Sequence, residues 1–224
     1  MNHNLTQEMI EHLRSLLSLD SLPEVEDQFL REKITDQFLM TANEKKQAEP
    51  KLFAIGGGPG SGKSFLYEHL KIKGQLPIDA VLHDPDLVMQ AIPQYREDAH
   101  INPVKAFECW ELPARQLANE ILLKAFIARY NIIYIRSFAT SDSLQFVRYT
   151  KMLGYKIDTH ILTCDQEVAI SRAQEREKIT KRHLPIEILM QRHEAVSKLL
   201  PEIKDVSDRC FFYENNNALE PILE

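Results

Sequence analysis

Cysteine is sparse in this chain. Cys109, Cys164 and Cys210 are the three in 224 residues, with no Cys-x-x-Cys pair and no His/Cys cluster. That spacing offers neither a zinc site nor a thiol redox pair, and reads as buried free thiols in a reducing compartment. A basic surplus is also absent: 27 Lys and Arg face 33 Asp and Glu, a formal net charge of −6. Residues 1–50 hold ten of those acids against five bases, so the remainder is nearly neutral. A general nucleic-acid binder would carry the opposite balance, and no nucleic-acid partner is expected. There is no basic-then-apolar leader and no apolar run of 18 residues, so the expectation is a soluble, cytoplasmic protein without membrane contact. Internal repeats and low-complexity tracts are missing as well.

What is present is ordinary for a globular protein, 44% hydrophobic and 27% charged residues, with one exception. The apolar run Leu52-Phe53-Ala54-Ile55 leads into Gly56-Gly57-Gly58-Pro59-Gly60-Ser61-Gly62-Lys63-Ser64. Gly57 to Ser64 fits Gly-x-x-x-x-Gly-Lys-Ser/Thr, and Lys63 opens a helical stretch. Glycines let successive N–H groups turn toward a phosphate with no Cβ in the way. The helix behind adds unpaired donors and the positive end of its dipole. Gly58, Pro59, Gly60, Ser61 and Gly62 are therefore candidate nucleotide-binding residues. Lys63 is expected on the β- and γ-phosphates and Ser64 on Mg²⁺. No register fits Gly-x-Gly-x-x-Gly, so a dinucleotide fingerprint is not supported.

Along the chain, Ile10, Leu13, Leu16 and Leu17 fall at helical spacing over residues 5–19. A second helix is expected from about Glu24 to Thr41, with Pro23 at its start. The apolar face of this acidic leader either packs on the rest of the protein or serves a partner. Asn43 to Pro50 reads as a linker. From there strands and helices alternate. Strands are expected at the apolar run Leu52 to Ile55 before the glycine-rich turn, Ile78 to His83, Asn131 to Ile135, Lys156 to Thr163 and Cys210 to Tyr213. Helices are expected after the glycine loop, from near Leu87, over Pro103 to Tyr130 with an interruption at Pro113, over Asp142 to Leu153, from Gln166 to about Arg182, and over Pro185 to Leu200. Such alternation implies an α/β domain with a mostly parallel five-stranded sheet, whose ligands bind beyond the carboxyl ends of strands. The division expected is a helical leader, residues 1–49, and an α/β domain, residues 50–224.

Asp84 and Asp86 stand two apart at the end of a strand. One suits the shell of a metal ion and the other suits accepting a proton from an attacking hydroxyl; Asp86 capping the next helix is the plainer alternative. Arg172, Arg176, Lys178, Lys181, Arg182 and Arg192 form a basic stretch. Lys178, Lys181 and Arg182 read as a solvated face, whereas Arg172 and Arg176 share one helix face and suit phosphates. His83 reads as a polar strand-end residue, and Phe107 and Trp110 as core of the long helix.

Together these residues resemble the zeta-toxin family of P-loop kinases. The loop from Ala54 to Ser64, His83-Asp84-Pro85-Asp86 with Pro93 beyond, and Arg172 to Arg176 followed by His183-Leu184-Pro185 and Arg192 carry the likeness, as does Cys210 to Asn215. It spans roughly residues 25 to 217. The resemblance implies a P-loop NTPase fold in three layers, like that of nucleoside-monophosphate kinases. It implies ATP and Mg²⁺ as cofactors and a nucleotide-sugar acceptor, UDP-N-acetylglucosamine being the family's best known, with an antitoxin-like protein inhibitor as a possible partner. By the same match Asp86 is the base, Asp84 serves the metal, Arg176 and Arg192 meet the phosphates, and Glu120 binds the sugar. The sequence departs from the family after the third strand, where Arg136-Ser137-Phe138-Ala139-Thr140 replaces an acidic start. Arg136 either meets an extra anionic group on the acceptor or pairs with Glu120, Asp84 or Asp86. The alternative to a kinase is a nucleotide-binding module that has lost catalysis and binds a protein partner.

Overall fold

Thr6 and Asp27, Asp84 and Asn102 each begin a helix by accepting a backbone N–H in the first turn, and these four caps set much of the element order. In the computed structural model, which describes residues 5–40, 42, 47–180, 184–217 and 219–222, the elements run α1 (Gln7–Leu16), α2 (Gln28–Leu39), β1 (Lys51–Gly57), α3 (Lys63–Ile72), β2 (Ala80–His83), α4 (Pro85–Ala91), α5 (Pro93–Ile101), α6 (Pro103–Ile127), β3 (Asn131–Ile135), α7 (Ser141–Met152), β4 (Lys156–Thr163), α8 (Gln166–Thr180), α9 (Ile186–Val206), β5 (Arg209–Asn215) and β6 (Leu219–Ile222). They divide into two units, Met1–Pro50 with Asp79–Ile132, and Lys51–Ile78 with Ile133–Glu224. The leader therefore groups with a later stretch of chain.

In the first unit α1 and α2 pack on α6. Leu13, Leu17, Leu19 and Ile34 are buried, so the apolar face of the leader is core. Its second helix starts at Gln28 and not near Pro23, because the Asp27 carboxylate accepts from Leu30 N at 3.0 Å and supplies the stronger start signal. The long helix α6 runs through Pro113 unbroken. Trp110, expected in the core, instead donates its indole N–H to Asp98 at 2.7 Å and ties α6 to α5. A buried relay joins three elements: His83 Nε2 donates to Asn119 Oδ1 (3.1 Å), and Asn119 Nδ2 donates to the Leu17 carbonyl (2.8 Å). Part of the expected linker, Asn43 to Lys46, lies outside the described residues.

In the second unit β1, β4 and β5 run parallel, with Ile55 opposite His160 and His160 opposite Phe211. The order is β3-β1-β4-β5-β6, with Ile133 to Ile135 supplying β3 here. The sequence showed five strands; β6 is a sixth, antiparallel to β5. Helix α9 continues through Pro201 to Val206, past the expected end at Leu200. None of the three thiols is in a disulfide, but Cys109 is exposed and Cys164 and Cys210 are only half-buried, which corrects the expectation of three buried ones. No described helix is long and apolar enough to cross a membrane.

One buried group gives this unit a pH dependence. His160 is stacked on Phe211 at 4.8 Å and hydrogen-bonded through Nδ1 to the Tyr213 hydroxyl at 3.0 Å. Burial pushes its pKa down to about 4, with Arg209 acting in the same direction and Asp158 against it. The folded state therefore disfavours the charged ring. This contribution is present above the unfolded pKa of about 6.5 and is lost as pH falls toward 4, because the unfolded chain binds the proton first. The shift corresponds to about 3 kcal/mol. Urea midpoints measured from pH 7 to pH 4 are expected to fall less steeply for His160→Gln than for the unaltered protein; equal slopes would contradict this.

Candidate functional site

Five of the seven glycines, Gly56, Gly57, Gly58, Gly60 and Gly62, lie within seven residues at the end of β1. Gly60 and Gly62 take φ of +79° and +103°, the left-handed region that side chains disfavour. Space forbids a side chain too. A Cβ on Gly60 would come within 2.4 Å of the Ala169 carbonyl oxygen, and one on Gly62 within 2.2 Å of Asn215 Nδ2. Gly62 is also the N-cap of α3 and offers no side-chain acceptor, so the first N–H groups of that helix receive no side-chain cap.

The loop carbonyls are held by donors from the loop itself and from β5 and α9. Lys63 Nζ donates to the Gly57 and Gly58 carbonyls, each at 3.0 Å. Ser61 N donates to the Gly58 carbonyl at 3.2 Å. His193 Nε2 donates to the Pro59 carbonyl at 2.7 Å, and Asn215 Nδ2 donates to the Ser61 carbonyl at 2.8 Å. Ser61 is fully buried, and its Oγ has no hydrogen-bond partner among the described residues. A glycine-lined turn that a Cβ would fill, an uncapped helix start and an orphaned hydroxyl fit the phosphates of a nucleotide. Lys63 is half-buried and Ser64 exposed at the mouth of the loop.

Helix α8 stands behind the loop. Ala169, Ala173, Leu184 and Leu189 form a small core that fastens it to α9. Arg172, expected on phosphate, has both terminal nitrogens on backbone carbonyls, Asn215 at 2.7 Å and Asn216 at 3.0 Å. Arg172 thereby holds the end of β5 that presents Asn215. Arg176 lies one turn further along α8, with Nε and Nη2 buried, and Arg192 is half-buried on α9. Lys178 is exposed; Lys181, Arg182 and His183 lie outside the described residues.

On the other side of β1, Arg136 N donates to the Ile55 carbonyl (3.1 Å), and Gly57 N donates to the Ser137 carbonyl (3.4 Å). Phe138 takes φ of +54° and is buried edge-on against Tyr134. Its ring lies where a Cβ on Gly56 would be, 2.6 Å away. The departure after β3 is thus partly a packing device. Arg136 itself is half-buried, and its guanidinium forms no ion pair with a described residue of its own unit.

In the first unit, Asp84 is buried and caps α4: its Oδ1 accepts from Asp86 N at 3.0 Å. The capping role that is the alternative reading for Asp86 belongs to Asp84, because Pro85 takes the first helical position and moves the cap one residue before it. Asp86 occupies the first turn and is half-buried. Glu120 is held by Arg31 at 2.7 Å and by Gln116 at 3.2 Å, and this pairing holds Arg31 strongly in its charged form. Among the described residues no cluster of three or more His, Cys, Asp or Glu is placed to hold a metal. His193 was not singled out from sequence, and Asn215 only as part of a polar turn; the one available cue for His193 was its place beside Arg192.

Residues 35–219 match the family described as Zeta toxin. No curated protein matches the sequence. Among solved structures, the fold is similar to a chain of the PezAT chromosomal toxin–antitoxin system of Streptococcus pneumoniae, at 15% identity and a TM-score of 0.66, covering 90% of this chain and 83% of that one. It is also similar to a chain of the AvrRxo1-ORF1:-ORF2 assembly with ATP, at 15% identity and a TM-score of 0.67, covering 87% of this chain. The match spans 65% of that longer chain. In the native complex of the same pair the values are 14% and 0.68, over 99% of this chain and 72% of the other.

Proposed function

Because the chain belongs to the zeta-toxin family and is a P-loop phosphotransferase, we propose that it uses ATP and Mg²⁺ to phosphorylate a hydroxyl of a nucleotide sugar or another anionic acceptor. The observation that carries this reading is the loop from Gly57 to Ser64, whose carbonyls are held by Lys63, His193 and Asn215 while Ser61 Oγ has no partner among the described residues and the start of α3 has no side-chain cap. MgATP, when bound, supplies the phosphoryl group. Within the second unit Gly58 to Gly62 cradle phosphate, Lys63 neutralises it, Ser64 offers a hydroxyl to the metal, and Arg176 and Arg192 stabilise spreading charge. Arg172 acts by positioning the Asn215 turn. Within the first unit Asp84 serves the metal shell, Asp86 takes the proton of the attacking hydroxyl, and Glu120 orients the acceptor. Residues 50–224 are the proposed kinase domain, residues 1–49 its helical leader, and the cytoplasm its place of work.

The toxin–antitoxin and two-protein assemblies among similar folds support an antitoxin-like protein as a partner. Lys63, Ser64, Asp86, Arg176 and Arg192 are all present and favour the enzyme, whereas Arg136 in place of the family's acid is the residue that favours lost catalysis. The deciding experiment is incubation with labelled ATP, Mg²⁺ and a panel of nucleotide sugars, inositol phosphates and small alcohols. Transfer to none of them, with ATP still bound, would favour the module that has lost catalysis.

Arg136 is proposed to meet an additional anionic group on the acceptor. Its planar fork can hold a phosphate or carboxylate through two parallel bonds, and among the described residues no acid of its own unit is paired with it. Glu120, one candidate for a structural partner, is engaged by Arg31. Arg136→Ala is expected to raise the acceptor KM or lower kcat/KM about 10- to 100-fold, with ATP binding unchanged. An effect on thermal stability alone, or restored transfer to UDP-N-acetylglucosamine in Arg136→Glu, would refute it.

A further inference from the structure

We propose that His193 and Asn215 are positioning residues that fix the phosphate loop in its binding-competent shape before any ligand arrives. The proposal rests on the loop being a phosphate cradle, and it concerns how a chain so rich in glycine is kept in one conformation.

Glycine is the residue with the most backbone freedom, and four of the six residues from Gly57 to Gly62 are glycine. Left alone, the peptide planes of such a segment would rotate, and binding would have to order them. Two buried side chains prevent this. The His193 imidazole, only 9% exposed, donates through Nε2 to the Pro59 carbonyl. The Asn215 amide, 6% exposed, donates through Nδ2 to the Ser61 carbonyl. All peptide bonds described are trans, and a trans peptide is planar with its N–H opposite its C=O. Holding the Pro59 carbonyl on α9 therefore turns the Gly60 N–H away from that helix. Holding the Ser61 carbonyl on the β5 turn likewise turns the Gly62 N–H away from Asn215. Two donors of the cradle are thus aimed by residues that need not touch the ligand.

His193 also acts by shape. A Cβ on Gly58 would meet His193 Cδ2 and Nε2 at 2.4 Å and Cε1 at 2.6 Å, and no other residue supplies any of these nearest atoms. Gly58 is not among the glycines with positive φ. Glycine is required at this position because the ring is there, not because the backbone demands it. His193 follows Arg192 on α9, so the same bond fixes the helix that carries Arg192 against the loop. Asn215 is itself braced by Arg172, which donates to the Asn215 and Asn216 carbonyls. The cradle is held by a chain running from α8 through the β5 turn and by a pin from α9.

The test is calorimetric binding of ADP and of inorganic pyrophosphate, which needs no acceptor and no turnover. His193→Ala is expected to weaken both ligands about tenfold, and Asn215→Ala similarly. His193→Gln, whose amide can still donate to the Pro59 carbonyl, is expected to recover to within about threefold. Gly58→Ala is expected to weaken ADP about tenfold in the otherwise unaltered protein, but less than about threefold when His193 is already alanine. Circular dichroism and the urea midpoint establish that each variant is folded; should His193→Ala fail to fold, His193→Gln and Gly58→Ala carry the test. ADP affinity within about twofold of normal in folded His193→Ala, or equal losses for Gly58→Ala in both backgrounds, would overturn the proposal. Lys63→Ala separates the two levels. If it abolishes ADP binding while the His193 variants do nothing, the cradle stands and the positioning role falls. If it too leaves binding intact, the loop is not the phosphate site and both readings fall.

Discussion

Lys63→Ala is expected to weaken ATP binding by roughly 10² to 10³-fold and to bring phosphoryl transfer below detection, while the protein still folds. Truncating one partner of a desolvated, hydrogen-bonded charge pair costs about 2–5 kcal/mol, and each 1.4 kcal/mol is tenfold in affinity. Lys63 has a second task without ligand, bracing the Gly57 and Gly58 carbonyls. Losing that brace does not empty the loop of support. The Gly58 carbonyl keeps the Ser61 N–H, and the Pro59 and Ser61 carbonyls keep His193 and Asn215. The Gly57 and Gly58 carbonyls each lose one donor, which costs on the order of 1 kcal/mol apiece. The urea midpoint should therefore move slightly while the calorimetric ATP signal disappears. Unchanged ATP affinity and turnover in the folded variant would remove the basis for reading Gly57 to Ser64 as the nucleotide site.

The loop was legible in the sequence because its chemistry is local: consecutive residues make the turn, and the glycines that line it are adjacent in the chain. The strands were legible for a similar reason, since Leu52 to Ile55 and Ile132 to Ile135 are short apolar runs buried almost completely. Helix starts were less so, because two signals competed. Pro23 suggested one start for α2 and Asp27 provided another, and the cap with a real hydrogen bond prevailed. The side chains that hold the loop were out of reach for a different reason. His193 lies 134 residues from Pro59 and Asn215 lies 154 residues from Ser61. Nothing in the local pattern of α9 distinguishes a histidine that meets a carbonyl from one that faces solvent. β6 escaped notice because it is a strand by virtue of pairing with β5, and Leu219 to Ile222 includes a proline that argues against a strand when read alone. The shift of the cap from Asp86 to Asp84 belongs with α2: a proline at the first helical turn relocates the boundary by one or two residues, which is enough to exchange the cap between two acids two apart.

That exchange sharpens the last prediction. Asp86→Asn is expected to lower transfer by about 10²- to 10⁴-fold, the range for loss of a general base, with ATP affinity nearly unchanged. Asparagine preserves the size of the side chain but cannot take the proton of an attacking hydroxyl at neutral pH. The cap of α4 is not at risk, because the residue that caps it is Asp84, and the bond concerned uses the backbone N–H of residue 86, which the substitution leaves in place. Asp84→Asn is the informative companion. Asparagine is as good an N-cap as aspartate, and its Oδ1 can still accept from the N–H of residue 86. The substitution therefore removes a buried charge while keeping the cap, whereas Asp84→Ala would lose both. The expected signature of Asp84→Asn is a raised Mg²⁺ requirement, with much of the lost rate recovered at higher Mg²⁺; Asp86→Asn should show no such recovery. Titrating Mg²⁺ in both variants at saturating ATP reads the difference directly. If Asp84→Asn abolishes transfer at every Mg²⁺ concentration and Asp86→Asn is mild, then the buried residue is the base and the half-buried one serves the metal.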